Sequence, residues 1–224
     1  MVDEVIYYNA PIELYRRFLE QPKKCLEDVL HWCVVDYAKT NNANYFRTQQ
    51  ALNFEGGTFT KAKERVNELN KKNVFSGVTF SIPRSFYWDY RDHHKTEREL
   101  RCLLCYLALK SIQGKKRYYY TENAKMFRRM CGYGRKEDFE MASKNELGKL
   151  GRVFSSERNM QESGRRIREA TMQQFDSFHC SMHTRGKRHF FFMIAYEDRE
   201  KCMKELAAYI ESKKPKKQPN DYKI

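Results

Sequence analysis

Three groups of basic residues have the chemistry to bind phosphates and base edges. Nine lysines and arginines lie between Lys110 and Lys136, a stretch in which Glu122 is the one acidic residue. A second group, residues 165–175, combines arginine with Thr and Gln, and a third, Thr184–Arg188, contains two arginines and a lysine. Lysine and arginine neutralise phosphates, whereas arginine and glutamine match guanine and adenine edges. These types and spacings predict contact with nucleic acid.

A further group of polar residues begins the helix that we predict from about Thr58 or Thr60, and the first turns of a helix usually enter the DNA groove. We assign phosphate contact to the arginines and lysines of 128–129 and 185–188, and base reading to Arg165, Arg168 and Gln173. The predicted nucleic-acid contacts are Thr60, Lys61, Lys63, Lys125, Arg128, Arg129, Arg165, Arg166, Arg168, Gln173, Arg185, Lys187 and Arg188. A solvated basic face without a binding partner is the alternative interpretation.

Composition favours the same class of partner. The 224 residues carry a net charge of +14, which points to a polyanion, either nucleic acid or an anionic membrane surface. No stretch approaches the roughly 20 apolar residues of a membrane span, so we expect no membrane association. The acidic start at 1–4 is unlike a signal peptide, and the seven scattered cysteines are unlike a secreted disulfide framework. A cytoplasmic protein with mostly buried thiols is predicted.

Two cysteine and histidine clusters have spacings that a zinc ion could use. Cys102 and Cys105 are separated by two residues, and His179, Cys180 and His183 lie within five positions. The first pair falls inside a leucine-rich helix, and in a strand Cys180 would face away from both histidines. We therefore predict structural roles for these residues and no metal or other cofactor.

The segment 89–94 is the one local cluster that resembles a hydrolytic site. Its carboxylates, Asp89 and Asp92, could hold a divalent ion, and His93 and His94 could act as bases. The chain contains no glycine-rich phosphate loop, nucleophile elbow or zinc-protease helix motif. We predict a protein that is not an enzyme, and a metal-dependent nuclease is the alternative.

The elements that must position these residues follow from apolar periodicity and turn residues. Thr96 and Glu99 form a capping box that opens the clearest helix, at 96–112. A short amphipathic helix is expected between Pro11 and Pro22, extended chain at 74–83 with a turn near Gly77, and a short helix after Ser143. Further helices are predicted at about 24–40, 44–54, 58–72, 121–131, 162–175 and 197–212, and further strands near 178–182 and 189–195.

This order predicts an α+β fold that is mainly helical, with two winged-helix-like units and short β-hairpins. Residues 1–23 form a lead-in, 24–92 the first unit, and 93–212 the second unit with a polar insert at 135–160 and a C-terminal helix. The Lys- and Pro-rich tail at 213–224 is predicted to be disordered.

The order of elements over residues 24–212 resembles plasmid and phage replication initiators built from two winged-helix units. The resemblance implies binding of double-stranded DNA through Arg165, Arg166 and Arg168, with a hairpin tip at Arg185, Lys187 and Arg188. It also implies one unit used mainly for dimerisation and a protein partner in the host replication machinery. A transcriptional regulator and a phage or mobile-element protein that inhibits a host nucleic-acid machine remain alternatives.

Overall fold

The computed structural model describes residues 6–54, 58–185, 189–195 and 199–213, and its architecture is α+β and mainly helical. The helices are α1 (Pro22–Thr40), α2 (Tyr45–Leu52), α3 (Thr58–Lys72), α4 (Arg84–Asp92), α5 (Glu97–Gln113), α6 (Asn123–Met130), α7 (Lys136–Glu140), α8 (Lys144–Leu147), α9 (Glu157–Gln174) and α10 (Arg199–Ser212). The strands are β1 (Tyr7–Pro11), β2 (Thr79–Pro83), β3 (Tyr119–Glu122), β4 (Phe178–Arg185) and β5 (His189–Ile194), and 3₁₀ helices occupy Ile12–Tyr15 and Gly148–Ser155.

The N-terminal segment is part of the core. β1 pairs antiparallel with β2, so that Tyr8 lies opposite Ile82 and Ala10 opposite Phe80, with all four side chains buried. The expected hairpin at 74–83 is therefore wrong: β2 begins only at Thr79 and pairs with a strand from the segment 1–23, which was predicted to be a lead-in outside the first unit. The expected amphipathic helix between Pro11 and Pro22 is a single 3₁₀ turn. Periodicity could not reveal a strand pairing between distant segments.

Helix α5 lies at the centre of the molecule. The eight consecutive residues from Cys102 to Leu109 are all buried, because α6, α9, β2, β3 and β5 pack around the helix. Its start is the predicted capping box, in which Thr96 and Glu99 exchange hydrogen bonds. A helix that is apolar on every side must be enclosed. One continuous apolar core consequently runs from Tyr8 in β1 to Ile194 in β5.

The second sheet has three antiparallel strands in the order β3–β5–β4. Alternate residues of β5 face opposite sides of the sheet. Phe190 and Phe192 join the main core beside α5, whereas Phe191 and Met193 pack against Cys202 and other apolar residues of α10. Helix α10 therefore covers the side of the sheet that faces away from α5.

Several expectations about the middle of the chain are corrected. Residues 84–92, for which no helix was predicted, form α4, the start of the helix expected at 121–131 belongs partly to strand β3, and the polar insert contains α7, α8 and a 3₁₀ helix. The helices expected near 24–40 and 96–112 are confirmed within two residues, and the helix expected at 162–175 is confirmed but already begins at Glu157. The unit boundaries stay a prediction, and the predicted tail beyond 213 lies outside the described residues. Within the described ranges, no helix has the length and apolar character needed to cross a membrane.

Gln113 connects the end of α5 to the second sheet. Its buried side chain donates to the carbonyl oxygens of Lys116, Arg117 and Ile194, at 2.8, 3.1 and 3.2 Å, and accepts from the backbone N–H of Ile194 at 2.9 Å. A buried polar group is tolerated when its hydrogen bonds are made. Gln113 thereby fixes the turn before β3 against the end of β5.

We expect Gln113→Met to lower the free energy of unfolding by about 2–4 kcal/mol, because it leaves buried backbone groups without partners. Denaturant unfolding followed by circular dichroism measures this change. Gln50→Met, at an exposed position of α2, is the control and should change stability by less than about 0.5 kcal/mol. Equal stability of the two variants would contradict the role of Gln113.

Candidate nucleic-acid interface

Asn123 positions α9 against α6. It is the first residue of α6, is buried, accepts a hydrogen bond from Arg168, and donates to Gln161 Oε1 at 2.5 Å. A Cβ atom at Gly164 would lie 2.4 Å from Asn123 Oδ1, so glycine is needed for this approach. The contact determines which side of α9 is buried and which side faces solvent.

The exposed side of α9 contains three of the predicted contacts. Arg165, Arg166 and Gln173 are exposed and lie within about 100° of one another around the helix axis. Arg165 pairs with Glu169 at 3.0 Å, and Gln173 accepts a hydrogen bond from Arg98 at 2.9 Å. Exposed pairs four residues apart on a helix contribute only about 0.3–0.5 kcal/mol. These side chains can therefore exchange their present partners for a phosphate or a base.

Arg168 differs from the other arginines of α9. Its side chain is half-buried, its guanidinium donates to Asn123, and the guanidinium carbon lies 4.0 Å from the centre of the Phe190 ring. Cation–π contact and a hydrogen bond between elements hold the side chain between α6 and β5. The structure thus places Arg168 in the packing of α9 rather than beside Arg165 and Arg166.

A cleft of about 590 Å³ lies between α5 and the exposed side of α9. Arg98 and Arg101 from α5 line it opposite Arg166 and Gln173. The sequence reasoning missed both α5 arginines, although they lie three residues apart in the first turns of a capped helix, away from its leucines. The cleft adds two cations to the α9 surface.

The three predicted contacts of α6 are half-buried side chains that lie close together on the helix: Lys125, Arg128 and Arg129. Burial, followed by the nearby charges of Arg129 and Arg128, lowers the pKa of Lys125. Burial and then Arg128 lower the pKa of Arg129. The Nε atoms of both arginines are buried without a hydrogen-bond partner among the described atoms. Three neighbouring cations with lowered solvation favour an approaching anion.

The predicted contacts of α3 remain at the surface. Thr60, Lys61 and Lys63 are exposed in the first half of the helix, and Lys63 Nζ lies 4.5 Å from the centre of the Phe59 ring. Arg65 is instead paired with Asp28 of α1 through two hydrogen bonds of 2.6 and 2.9 Å. One side of α3 therefore packs against α1, and its first turns are available to a ligand.

The predicted hairpin tip falls at the limit of the described structure. Strand β4 ends at Arg185 and β5 begins at His189, and the two strands pair antiparallel. The side chain of Arg185, and the whole of Lys187 and Arg188, lie outside the described residues. Their assignment stays a prediction from the sequence.

The carboxylates of the segment 89–94, which could hold a divalent ion in the nuclease alternative, are paired with basic side chains in the structure. Asp89 Oδ2 forms an ion pair with Lys95 Nζ at 2.7 Å, and Asp89 Oδ1 lies 3.1 Å from His93 Nδ1. Asp92 Oδ1 lies 3.8 Å from Arg91 Nε. Each carboxylate therefore faces a cation of the chain. Within the described ranges, no group of three or more His, Cys, Asp or Glu side chains is placed to hold a metal ion.

The cysteines considered as zinc ligands are packed in the core. Cys102 and Cys105 are buried in α5, and Cys105 Sγ lies 3.7 Å from Met126 Sδ. Burial raises the pKa of Cys105 to about 12 and that of Cys180 to about 11, which favours the neutral thiols. All seven cysteines are free, and six of them are buried, as the sequence predicted.

Comparison of the chain with protein-family models, with curated proteins and with solved structures finds no match.

We expect Arg168→Ala to lower the free energy of unfolding by about 1–3 kcal/mol, because it removes the Phe190 contact and leaves Asn123 without a donor. The matched control is Arg166→Ala, which removes an exposed arginine from the same helix and should change stability by less than about 0.5 kcal/mol. Denaturant unfolding of both variants makes the comparison. Similar small effects would show that Arg168 has no structural role.

Proposed function

We propose that the chain binds double-stranded DNA and that residues 97–194 act as a winged-helix unit. The observation that carries this proposal is the order of elements, α5–β3–α6–α9–β4–β5, together with the strand order β3–β5–β4. In a winged helix, the third helix is presented to the major groove and the following hairpin contacts the backbone beside it. Helix α9 and the β4–β5 hairpin take these positions in our proposal, with α7 and α8 inserted before α9.

The charge of the chain supports a polyanionic ligand. The net charge is +14, and the exposed side of α9 presents Arg165 and Arg166 beside the cleft that contains Arg98 and Arg101. Each phosphate that a cation neutralises releases bound counterion from DNA. The free energy gained by releasing counterions exceeds the stabilisation that the weak surface pair of Arg165 with Glu169 contributes. This pair therefore does not prevent Arg165 from contacting DNA.

The first half of the chain supplies a second candidate surface. Helices α1, α2 and α3 are followed by β2, and the exposed Thr60, Lys61 and Lys63 lie in the first turns of α3. We propose that this unit assists DNA binding and that the whole chain is a replication initiator or a related DNA-binding factor of a mobile element. Two helix-rich units that share one apolar core favour a fixed spacing between their DNA contacts.

We expect Arg165→Ala with Arg166→Ala to weaken binding of labelled duplex DNA. Since two phosphate-neutralising cations are removed, the slope of log affinity against log salt should become less steep by about 1–2. Fluorescence anisotropy titrations at several salt concentrations measure affinity and slope together.

The matched control variant carries Lys201→Ala and Lys204→Ala. Both lysines are exposed on α10, which covers the opposite side of the second sheet. The control removes the same charge, so it corrects for the general effect of net charge. If both double variants change the slope equally, α9 is not the DNA-contacting helix.

The hairpin tip requires a separate test. We expect Arg185→Ala, Lys187→Ala and Arg188→Ala together to lower duplex affinity at least tenfold at moderate salt and to reduce the salt slope by about 2–3, because three predicted phosphate contacts are lost. Anisotropy titrations across salt concentrations again provide the measurement. Unchanged binding at every salt concentration would exclude a role of the tip in DNA contact.

A further inference from the structure

A second basic cleft, the insert cleft, lies beside the α5–α9 cleft and has no role in the DNA contacts proposed for α9 and the hairpin. Its volume is about 620 Å³, and it lies between the N-terminal segment, the start of α5 and the insert that contains α8. Five cations and two carboxylates line it: Arg17, Arg101, Lys144, Lys149, Arg152, Glu20 and Glu97. The lining side chains come from three segments that are distant in sequence.

A specific contact between Glu20 and the insert forms this cleft. Glu20 Oε1 accepts a hydrogen bond from the backbone N–H of Lys149 at 2.6 Å, across 129 residues of chain. Gly148 has a φ of +57°, and a Cβ atom there would lie 2.3 Å from Glu20 Oε1. Only glycine satisfies both requirements without strain. The cleft is therefore a fixed tertiary feature, and Glu20 is already engaged in holding it.

The second carboxylate is also engaged. Glu97 pairs with Arg101 at 2.6 Å and with Lys149 at 2.8 Å, and the hydrogen bond from Lys149 is the main cause of the lowered pKa of Glu97. Arg17, Lys144 and Arg152 are exposed, and within the part of the chain that the structure describes their side chains form no ion pair. Three uncompensated cations around one cleft raise the local concentration of anions.

Arg101 provides an additional polar group. Its Nε atom is buried and has no hydrogen-bond partner among the described atoms, although its Nη2 atom donates to Glu97. An unmade hydrogen bond to a buried charged group costs free energy. A phosphate oxygen is an acceptor of the kind that guanidinium groups bind best.

The two clefts are adjacent, because Glu97 and Arg101 line both of them. A chain of phosphates that contacts Arg166 and Arg98 in the first cleft can continue past Arg101 toward Lys144 and Arg152. A linear polyanion can contact the cations of two adjacent clefts at once, whereas one isolated anion contacts only a few of them, since each phosphate meets a separate cation.

We propose that the insert cleft binds the phosphodiester backbone of the DNA that extends beyond the α9 contact. This inference rests on the DNA-binding function proposed above and names a further part of the same interface. The insert then lengthens the site along the duplex, and its cations contribute affinity without reading bases.

The test compares the wild-type chain with a variant that carries Arg17→Gln, Lys144→Gln and Arg152→Gln. Two labelled duplexes are used, one of about 12 base pairs, little more than one helical turn, and one of about 30. We expect the variant to bind the short duplex as the wild type does. On the long duplex its affinity should fall about tenfold or more, and its salt slope should become less steep by about 2–3.

The control variant carries Lys201→Gln, Lys204→Gln and Lys213→Gln, which remove the same charge from α10 and the residue after it. Thermal unfolding by circular dichroism verifies that all variants are folded. If the wild type prefers the long duplex and the cleft variant keeps that preference, the cleft proposal is wrong and DNA binding stands. If the wild type binds neither duplex, the proposed function itself fails.

A small phosphorylated molecule is the alternative ligand for the insert cleft, because it offers the same phosphate groups as the DNA backbone. Calorimetric titration with inorganic pyrophosphate, without DNA, separates the two. Pyrophosphate binding that the cleft variant loses, combined with unchanged binding of the long duplex, would overturn the proposal in favour of a small ligand. Loss of long-duplex affinity without pyrophosphate binding by the wild type supports the DNA backbone.

Discussion

Enclosure of α5 is the constraint on which the rest of the structure depends. Eight consecutive buried residues leave the middle of this helix, residues 102–109, no polar side, so other elements must cover that part completely. Each fully buried leucine contributes about 1.5–3 kcal/mol, which makes any arrangement that exposes α5 costly. The N-terminal strand pair lies on one part of its surface, and α6, α9 and the three-stranded sheet lie on the others. The two halves of the chain consequently share one core.

The elements that enclose α5 are held in position relative to one another by polar contacts. Asn123 contacts α9 where Gly164 removes a side chain, and Glu20 contacts the insert where Gly148 does the same. In both contacts, a polar side chain reaches the partner segment because glycine permits close approach. Gln113 satisfies several backbone groups between α5 and the second sheet. These contacts determine the direction in which the surface cations point.

Two groups of cations accordingly have different physical roles. Arg65 and Arg168 are held by partners on other elements and stabilise helix packing. Arg166, Arg17 and Arg152 are exposed at clefts and are available to anions. The basic character of the whole chain does not distinguish these groups. The DNA binding that we propose depends on the second group, whose members line the two adjacent clefts.

Local signals in the sequence determined several of the helices: the capping boxes of Thr96 with Glu99 and of Ser143 with Glu146 act within four residues, and both are formed. The sequence also predicted nucleic-acid contact for Arg165 and Arg166, and the structure places both at the surface of α9. The sequence could not show that β2 pairs with β1, that Arg168 contacts Phe190, or that Arg17 and Arg152 line the same cleft. These relations join distant segments, and only the tertiary structure decided them, because the enclosure of α5 selects which distant surfaces meet.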